Sequence, residues 1–488
     1  MRSAAPTDTA YGAVEQDDRL ADDVRRVLRL HDEILVATAG TCDSSRVLGI
    51  VAAAASAEQY LAYTIPRIVR QIEATGRRAD LVIGLNNGFR CQSTIAYLKT
   101  LDSVQLIELY TGDKPGPAIP ATCFDRPEEQ AELYTIPPAD GAQHRVFVVY
   151  QREGPHAAGK IRMLDDLGRG LILPSIQAGW QPPQYTLVFD AESIFIAQTE
   201  DRSLDTELSQ IRTLLARLGG NIERVVNTLT QAYISAKQRQ TLAPPATQSQ
   251  PLDFESNGLA PLIDLLDSQP DLHITGAITR FCTYETSKTI GGIDVRQPRL
   301  ATPCSPMHTI YNYTCGLIPG CLCMPGGGTI GRTECMLSLL ATISQLYPGT
   351  TSEDAILTVL AEPAGFRLGL CDQALLTNRC APTDEWTNHQ PPRRAWQHQF
   401  VRWYAGFDAV EQHYGRHNAG AVLGPSSDDF STAVLAIFWK TLRRTGDMPG
   451  SLALLHQFAA GGTAYEEIRA LATATPDELV GPHGRPAW

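Results

Sequence analysis

The chain has no stretch of the roughly 20 consecutive apolar residues that a membrane-crossing helix needs. Its most apolar run near the end, Ala433–Trp439, is far shorter, so no integral membrane span is expected. The first residues contain no basic segment followed by an apolar one, and a secretory signal is not expected either. Positive charge is in short supply. Lys and Arg total 41 against 53 Asp and Glu, a formal net charge of -12, which argues against a nucleic-acid partner because such partners need a basic face. Cysteine pairing is also missing as a pattern. The eleven cysteines are odd in number and scattered, which fits a reducing cytoplasm rather than a disulfide framework.

What is present is alternation. At 488 residues the chain exceeds the usual size of a single core. Residues 1–18 are polar and expected to be loose, and residues 19–35 carry the apolar spacing of an amphipathic helix. From Arg46 the pattern runs strand, helix, strand: Val47–Ala54, Glu58–Ala74, then Asp80–Leu85, which ends in the turn-rich Asn86-Asn87-Gly88. A helix is expected over Ser93–Thr100 and strands over Val104–Tyr110, Arg145–Tyr150 and Tyr185–Asp190. Residues 241–258 read as a linker or surface loop. Strand character returns over His273–Tyr284. Residues 324–330 read as a glycine-rich loop and Arg332–Leu346 as a helix, and the tail after Phe407 reads as mostly helical. Strands alternating with helices predict an α/β fold with a mostly parallel sheet flanked by helices. Chemistry in such a sheet gathers beyond the carboxyl ends of its strands.

Three groups of residues suit chemistry there. Asp190 and Glu192 sit one residue apart just after an apolar strand, a pattern able to offer oxygen ligands to Mg2+ or Mn2+ or simply to cap the next helix. Glu353 and Asp354 follow Ser352 and precede an apolar helical run. Asp354 could serve as a general base, or the segment could be a helix cap. Gln399, Arg402 and Trp403 could meet a phosphate with a planar fork and a sugar with a flat ring, or could belong to a packed helix. Cys304, Cys315, Cys321, Cys323 and Cys335 crowd together near His308, but they lack paired zinc spacing and read as small buried thiols.

The order of these parts is more informative than any one of them. An acid pair after a strand is followed by Gly326-Gly327-Gly328 with Arg332 nearby, then Glu-Asp, then Gln-x-x-Arg-Trp. The series resembles the processive branch of glycosyltransferase family 2, to which cellulose, chitin and hyaluronan synthases belong. Gly159–Leu164 is similar to that family's Gly-Lys segment, Ala381–Thr383 to the stretch before its Gln-x-x-Arg-Trp motif, and Gly49–Tyr60 to its first strand and turn. The resemblance spans about residues 46–407. It implies a GT-A type, Rossmann-like catalytic domain over 46–407 with an insertion about 200–270, a helical extension over 1–45 and another over 408–488.

The resemblance also implies a function. The chain would be a metal-dependent, inverting hexosyltransferase that takes sugar from a nucleotide-diphosphate donor of the UDP-sugar type. The acceptor hydroxyl is unidentified and could belong to a small molecule, a glycan or a protein. Asp190 and Glu192 would hold Mg2+ or Mn2+, and Asp354 would be the catalytic base. Asn87, Lys160, Asp190, Arg332, Gln399, Arg402 and Trp403 would bind the donor and its diphosphate. Gly326, Gly327, Gly328 and Glu353 would line the cleft toward the acceptor. Two departures stand out. Asparagine at 86–87 replaces the aspartate that the family uses toward uridine, and asparagine donates as well as accepts. The channel-forming membrane helices of the processive synthases are missing, so transfer of one or a few sugars is expected. Two other activities suit the same scaffold. A sugar nucleotidyltransferase would want a glycine- and lysine-bearing loop after the first strand, and Ala52–Ala57 supplies neither. A non-catalytic nucleotide-binding protein is the other.

Overall fold

The computed structural model describes residues 8–38, 42–53, 58–85, 92–102, 104–111, 118–119, 136, 143–150, 159–197, 256–290, 292–300, 324–347, 353–379, 409–410 and 412–414. The strands are β1 (Asp43–Ala53), β2 (Arg78–Leu85), β3 (Val104–Thr111), β4 (Ala118–Ile119), β5 (His144–Tyr150), β6 (Pro183–Phe189), β7 (Ile194–Ala197), β8 (Ile274–Ile290), β9 (Ile293–Leu300), β10 (Gly328–Arg332) and β11 (Leu368–Arg379). The helices are α1 (Asp8–Ala37), α2 (Glu58–Glu73), α3 (Gln92–Leu98), α4 (Gly159–Leu167), α5 (Leu173–Gln177), α6 (Leu259–Ser268), α7 (Thr333–Leu346) and α8 (Glu353–Ala361).

All the strands join one sheet in the order β4-β3-β5-β2-β1-β6-β10-β8-β11-β7, with β9 paired to β8. From β4 to β6 every pairing is parallel, and β11 pairs parallel to β8. β10 is inserted antiparallel between β6 and β8. The α/β fold with a mostly parallel, helix-flanked sheet is thus the observed architecture. The central strands β1, β2, β5 and β6 are buried on both faces, as parallel sheets require. Leu48 and Ile50 of β1 point into one core with Val82, Phe147 and residues of α1, α4, α7 and α8. Val47 and Val51 point into the other with Ile65 and Ile68 of α2 and Leu262 of α6.

Several boundaries differ from the expectation, and three of the differences have a physical reason. The first helix begins at Asp8 rather than near residue 19, because Ala10, Ala13, Glu15 and Gln16 are good helix formers and extending a helix that is already nucleated costs little. The glycine-rich stretch is a loop only to Gly327, and Gly328–Arg332 is strand β10. Its strand state is imposed by backbone pairing on both sides rather than by its own composition. The helix that follows starts at Thr333, whose hydroxyl donates to the Pro183 carbonyl at 2.5 Å and shares a hydrogen bond with Thr186.

The amino ends of the central parallel strands are tied by a buried ionic clamp. Arg46 of β1 donates to Asp80 Oδ1 of β2 through Nε and Nη2, at 3.0 and 2.7 Å. Arg145 of β5 donates to the two oxygens of the same carboxylate at 2.8 and 2.5 Å. All three side chains are buried. The carboxyl ends, at the opposite edge, are left for the site.

Candidate functional site

β6 is an apolar strand that ends at Phe189, so the turn that follows projects Asp190 beyond the sheet. Ser193 closes this turn, accepting a hydrogen bond from the Asp190 amide at 2.9 Å and donating to the Gly327 carbonyl at 2.6 Å. The glycine loop is thereby stapled to the acidic turn. Close approach is what the glycines permit. A Cβ on Gly327 would stand 2.4 Å from Asp190 Oδ2, and one on Gly326 would stand 3.0 Å from Asp354 Oδ2.

Two helices deliver the remaining groups. α4 packs tightly over β2, where the Met163 sulfur fills the space above Gly84. That seating holds Lys160, one turn earlier, at the sheet edge. α8 presents Glu353 and Asp354 in its first turn, where the helix dipole favours negative charge. Asp354 Oδ1 accepts the Ala355 amide at 2.9 Å. Thr358 then locks the turn to the glycine loop, donating to the Asp354 carbonyl and accepting from the Met324 amide.

The pieces meet at the Lys160 ammonium. It lies 2.7 Å from Asp190 Oδ1 and 2.6 Å from Glu353 Oε1, and it donates to the Gly326 carbonyl at 3.0 Å. Burial alone would lower the Lys160 pKa, but the Asp190 and Glu353 charges outweigh it and hold the pKa far above the usual lysine range. Lys160 is therefore a fixed cation. Asp354 is shifted the other way. Desolvation, reinforced by the Glu353 charge, pushes its carboxyl up to about 7 against the opposing pull of Lys160. A carboxyl whose pKa sits near neutrality can accept a proton and release it again, as general base catalysis requires.

The structure thus brings Lys160, Asp190, Glu353, Asp354, Gly326 and Gly327 together. Glu192 lies half-buried in the same turn as Asp190. It does not bring Arg332 there. Arg332 stands opposite Tyr185 in the β10–β6 register while Gly328 stands opposite Phe189, so it is four residues and about 13 Å down the strand. Its guanidinium donates to the Leu272 and Pro270 carbonyls. Arg332 therefore closes a loop at the far edge, and its expected contact with the donor is withdrawn. Gly328 belongs to the strand and faces Leu376 rather than the acidic groups. Asn87, Gln399, Arg402, Trp403, Cys304, Cys315, Cys321, Cys323 and His308 lie outside the described residues. Sequence reasoning did not foresee that Glu353 would share the lysine with Asp190, because only tertiary packing makes them neighbours.

Among the described residues the grouping that places three possible His, Cys, Asp or Glu ligand atoms within 4.8 Å of one another is His31, Glu334 and Cys335, away from the acidic turn. Arg332 stands two residues before Glu334, and Glu334 and Cys335 sit in the first turn of α7, at its positive end, so the setting opposes a divalent cation. Cys335 itself is buried, and desolvation holds its thiol well above the usual range.

No protein-family model and no curated protein matches the chain. Among solved structures it is similar to the mannosyltransferase PcManGT from Pyrobaculum calidifontis in complex with GDP-Man and Mn2+, with a TM-score of 0.37 and 11% sequence identity over 92% of this chain and 95% of that one.

Proposed function

We propose that the chain is a glycosyltransferase that moves a hexosyl unit from a nucleotide-diphosphate sugar to an acceptor hydroxyl. The observation that carries this reading is the convergence of Lys160, Asp190, Glu353 and Asp354 on a glycine loop beyond the carboxyl end of β6. A fixed cation, a carboxylate shell and a carboxyl poised near pH 7 are the groups that such a transfer needs.

In this reading the acceptor hydroxyl lies against Asp354, which takes its proton as the acceptor oxygen attacks the anomeric carbon. The bond from that carbon to the diphosphate oxygen breaks on the opposite face, so the displacement inverts configuration. The pair of electrons leaves with the nucleoside diphosphate. Lys160 supplies positive charge where the leaving group gathers negative charge. Gly326 and Gly327, which no side chain could replace without meeting a carboxylate, let the backbone lie close beneath the reacting groups. Gln399, Arg402 and Trp403 are assigned to the diphosphate and the acceptor, and Asn87 to the nucleotide base, on the resemblance alone. The donor of choice is a UDP-sugar on the same ground.

A divalent cation fits the donor set here. The Lys160 ammonium already stands in for one, held by two carboxylate oxygens and a backbone carbonyl, which are the hard oxygen ligands that Mg2+ and Mn2+ prefer. On the resemblance Asp190 and Glu192 are assigned to hold it, and the oxygens around Lys160 bring Glu353 to the same place. When bound it would offset the charge on the leaving diphosphate.

A thermal-shift screen of nucleoside diphosphates and nucleotide sugars with Mn2+ tests the reading, since a ligand of the native state raises its melting point. We expect one sugar nucleotide to stabilise the protein and to be consumed in the presence of an acceptor, and Asp190→Asn and Asp354→Asn each to lower turnover by roughly 10²-fold or more. Full activity in both variants would sink the proposal.

A further inference from the structure

Lys160 spends all three of its ammonium hydrogens inside the site, on Asp190 Oδ1, Glu353 Oε1 and the Gly326 carbonyl. These acceptors come from three separated parts of the chain: the turn after β6, the first turn of α8 and the loop before β10. Their arrangement around one nitrogen is that of oxygens around a cation. The distances of 2.6 to 3.0 Å need shrink by only about 0.6–0.9 Å to reach the 2.0–2.1 Å that Mg2+ demands. A divalent ion and the ammonium cannot share these oxygens, because both need the same Asp190 atom and like charges at that range repel strongly.

We infer that Lys160 is a tethered cation that competes with the divalent ion for Asp190 and Glu353, so that the metal enters only as the lysine leaves. The inference rests on the transferase reading in one respect, the destination of the displaced ammonium. On its four-carbon stem Lys160 is then free to meet the donor diphosphate, and donor and metal would bind cooperatively. Without donor, the built-in charge keeps the two carboxylates neutralised and the affinity for metal low.

The experiment is titration of the full-length protein with MnCl2 alone, followed by calorimetry and by the loss of the free-ion paramagnetic resonance signal. Lys160→Met and Lys160→Gln should each bind Mn2+ at least tenfold more tightly than the wild type. Lys160→Arg keeps the charge and should not. Adding Asp190→Asn to Lys160→Gln should return affinity to the wild-type level, which separates this site from the His31, Glu334 and Cys335 grouping. Glutamine can still donate to one carboxylate, so it serves if the methionine variant fails to fold. Equal Mn2+ affinity in the wild type and both neutral variants, or no binding in any, overturns the inference. A parallel titration with nucleotide sugars in the presence of saturating Mn2+ keeps the two readings apart. Tight Mn2+ in Lys160→Gln with no nucleotide sugar bound by any form leaves the competition standing and sinks the donor. A bound nucleotide sugar with unchanged Mn2+ affinity does the reverse.

Discussion

Asp354 is the residue on which rate and stability oppose each other. Its carboxyl is pushed up to about 7 chiefly by burial, so the folded chain holds that proton more tightly than the unfolded chain does. The stabilisation is complete below the ordinary carboxyl range and is lost as pH rises through about 7. Replacement by asparagine removes that loss. Asp354→Asn should therefore melt higher than the wild type in scans at about pH 8 and show little advantage at about pH 4, while its turnover falls by roughly 10²-fold or more. In the wild type, kcat/KM should rise with pH through about 7 as the base deprotonates. A flat profile would remove Asp354 from the base role. The glycines make a graded pair of tests. Alanine at 327 meets Asp190 Oδ2 at 2.4 Å and can be housed only if the carboxylate swings away from Lys160, whereas alanine at 326 stands 3.0 Å from Asp354. Gly327→Ala should cost more activity than Gly326→Ala, with both folded by circular dichroism.

At the scale of elements, the strands β1, β2 and β5 are joined at their amino ends by Arg46, Asp80 and Arg145. Removing the shared carboxylate strands two buried guanidinium groups. Asp80→Ala should destabilise the chain by about 3–5 kcal/mol in urea unfolding. The strands β2, β5 and β6 were legible as continuous apolar runs because a parallel sheet buries both faces. β10 was not, since GTIGR has no apolar run and becomes a strand only by pairing with β6 and β8. The amino-terminal half of α1 was hidden for the opposite reason, its polarity masking a helix that propagates from the amphipathic part. A tie that no pattern predicts is Asp23 of α1, which accepts hydrogen bonds from Tyr347, just past α7, and from Tyr414.

At the scale of the whole molecule, the polar clamp and the acidic site occupy opposite edges of one sheet, with the apolar cores between them. This division leaves the carboxyl edge free to carry charges that weaken folding, such as Asp354, while the amino edge holds the central strands together. Among the described residues no helix is long and apolar enough to cross a membrane. The alternation of elements, the acid turn after β6 and the Glu-Asp pair ahead of α8 could all be read from the chain by itself, because local periodicity and strand-end chemistry are short-range properties. That Asp190 and Glu353 grip one lysine, that Asp354 is driven toward neutrality, and that Arg332 falls at the wrong edge could not. Those outcomes depend on the antiparallel insertion of β10 and the seating of α4 on β2, and on the solvent they exclude from residues more than a hundred positions apart.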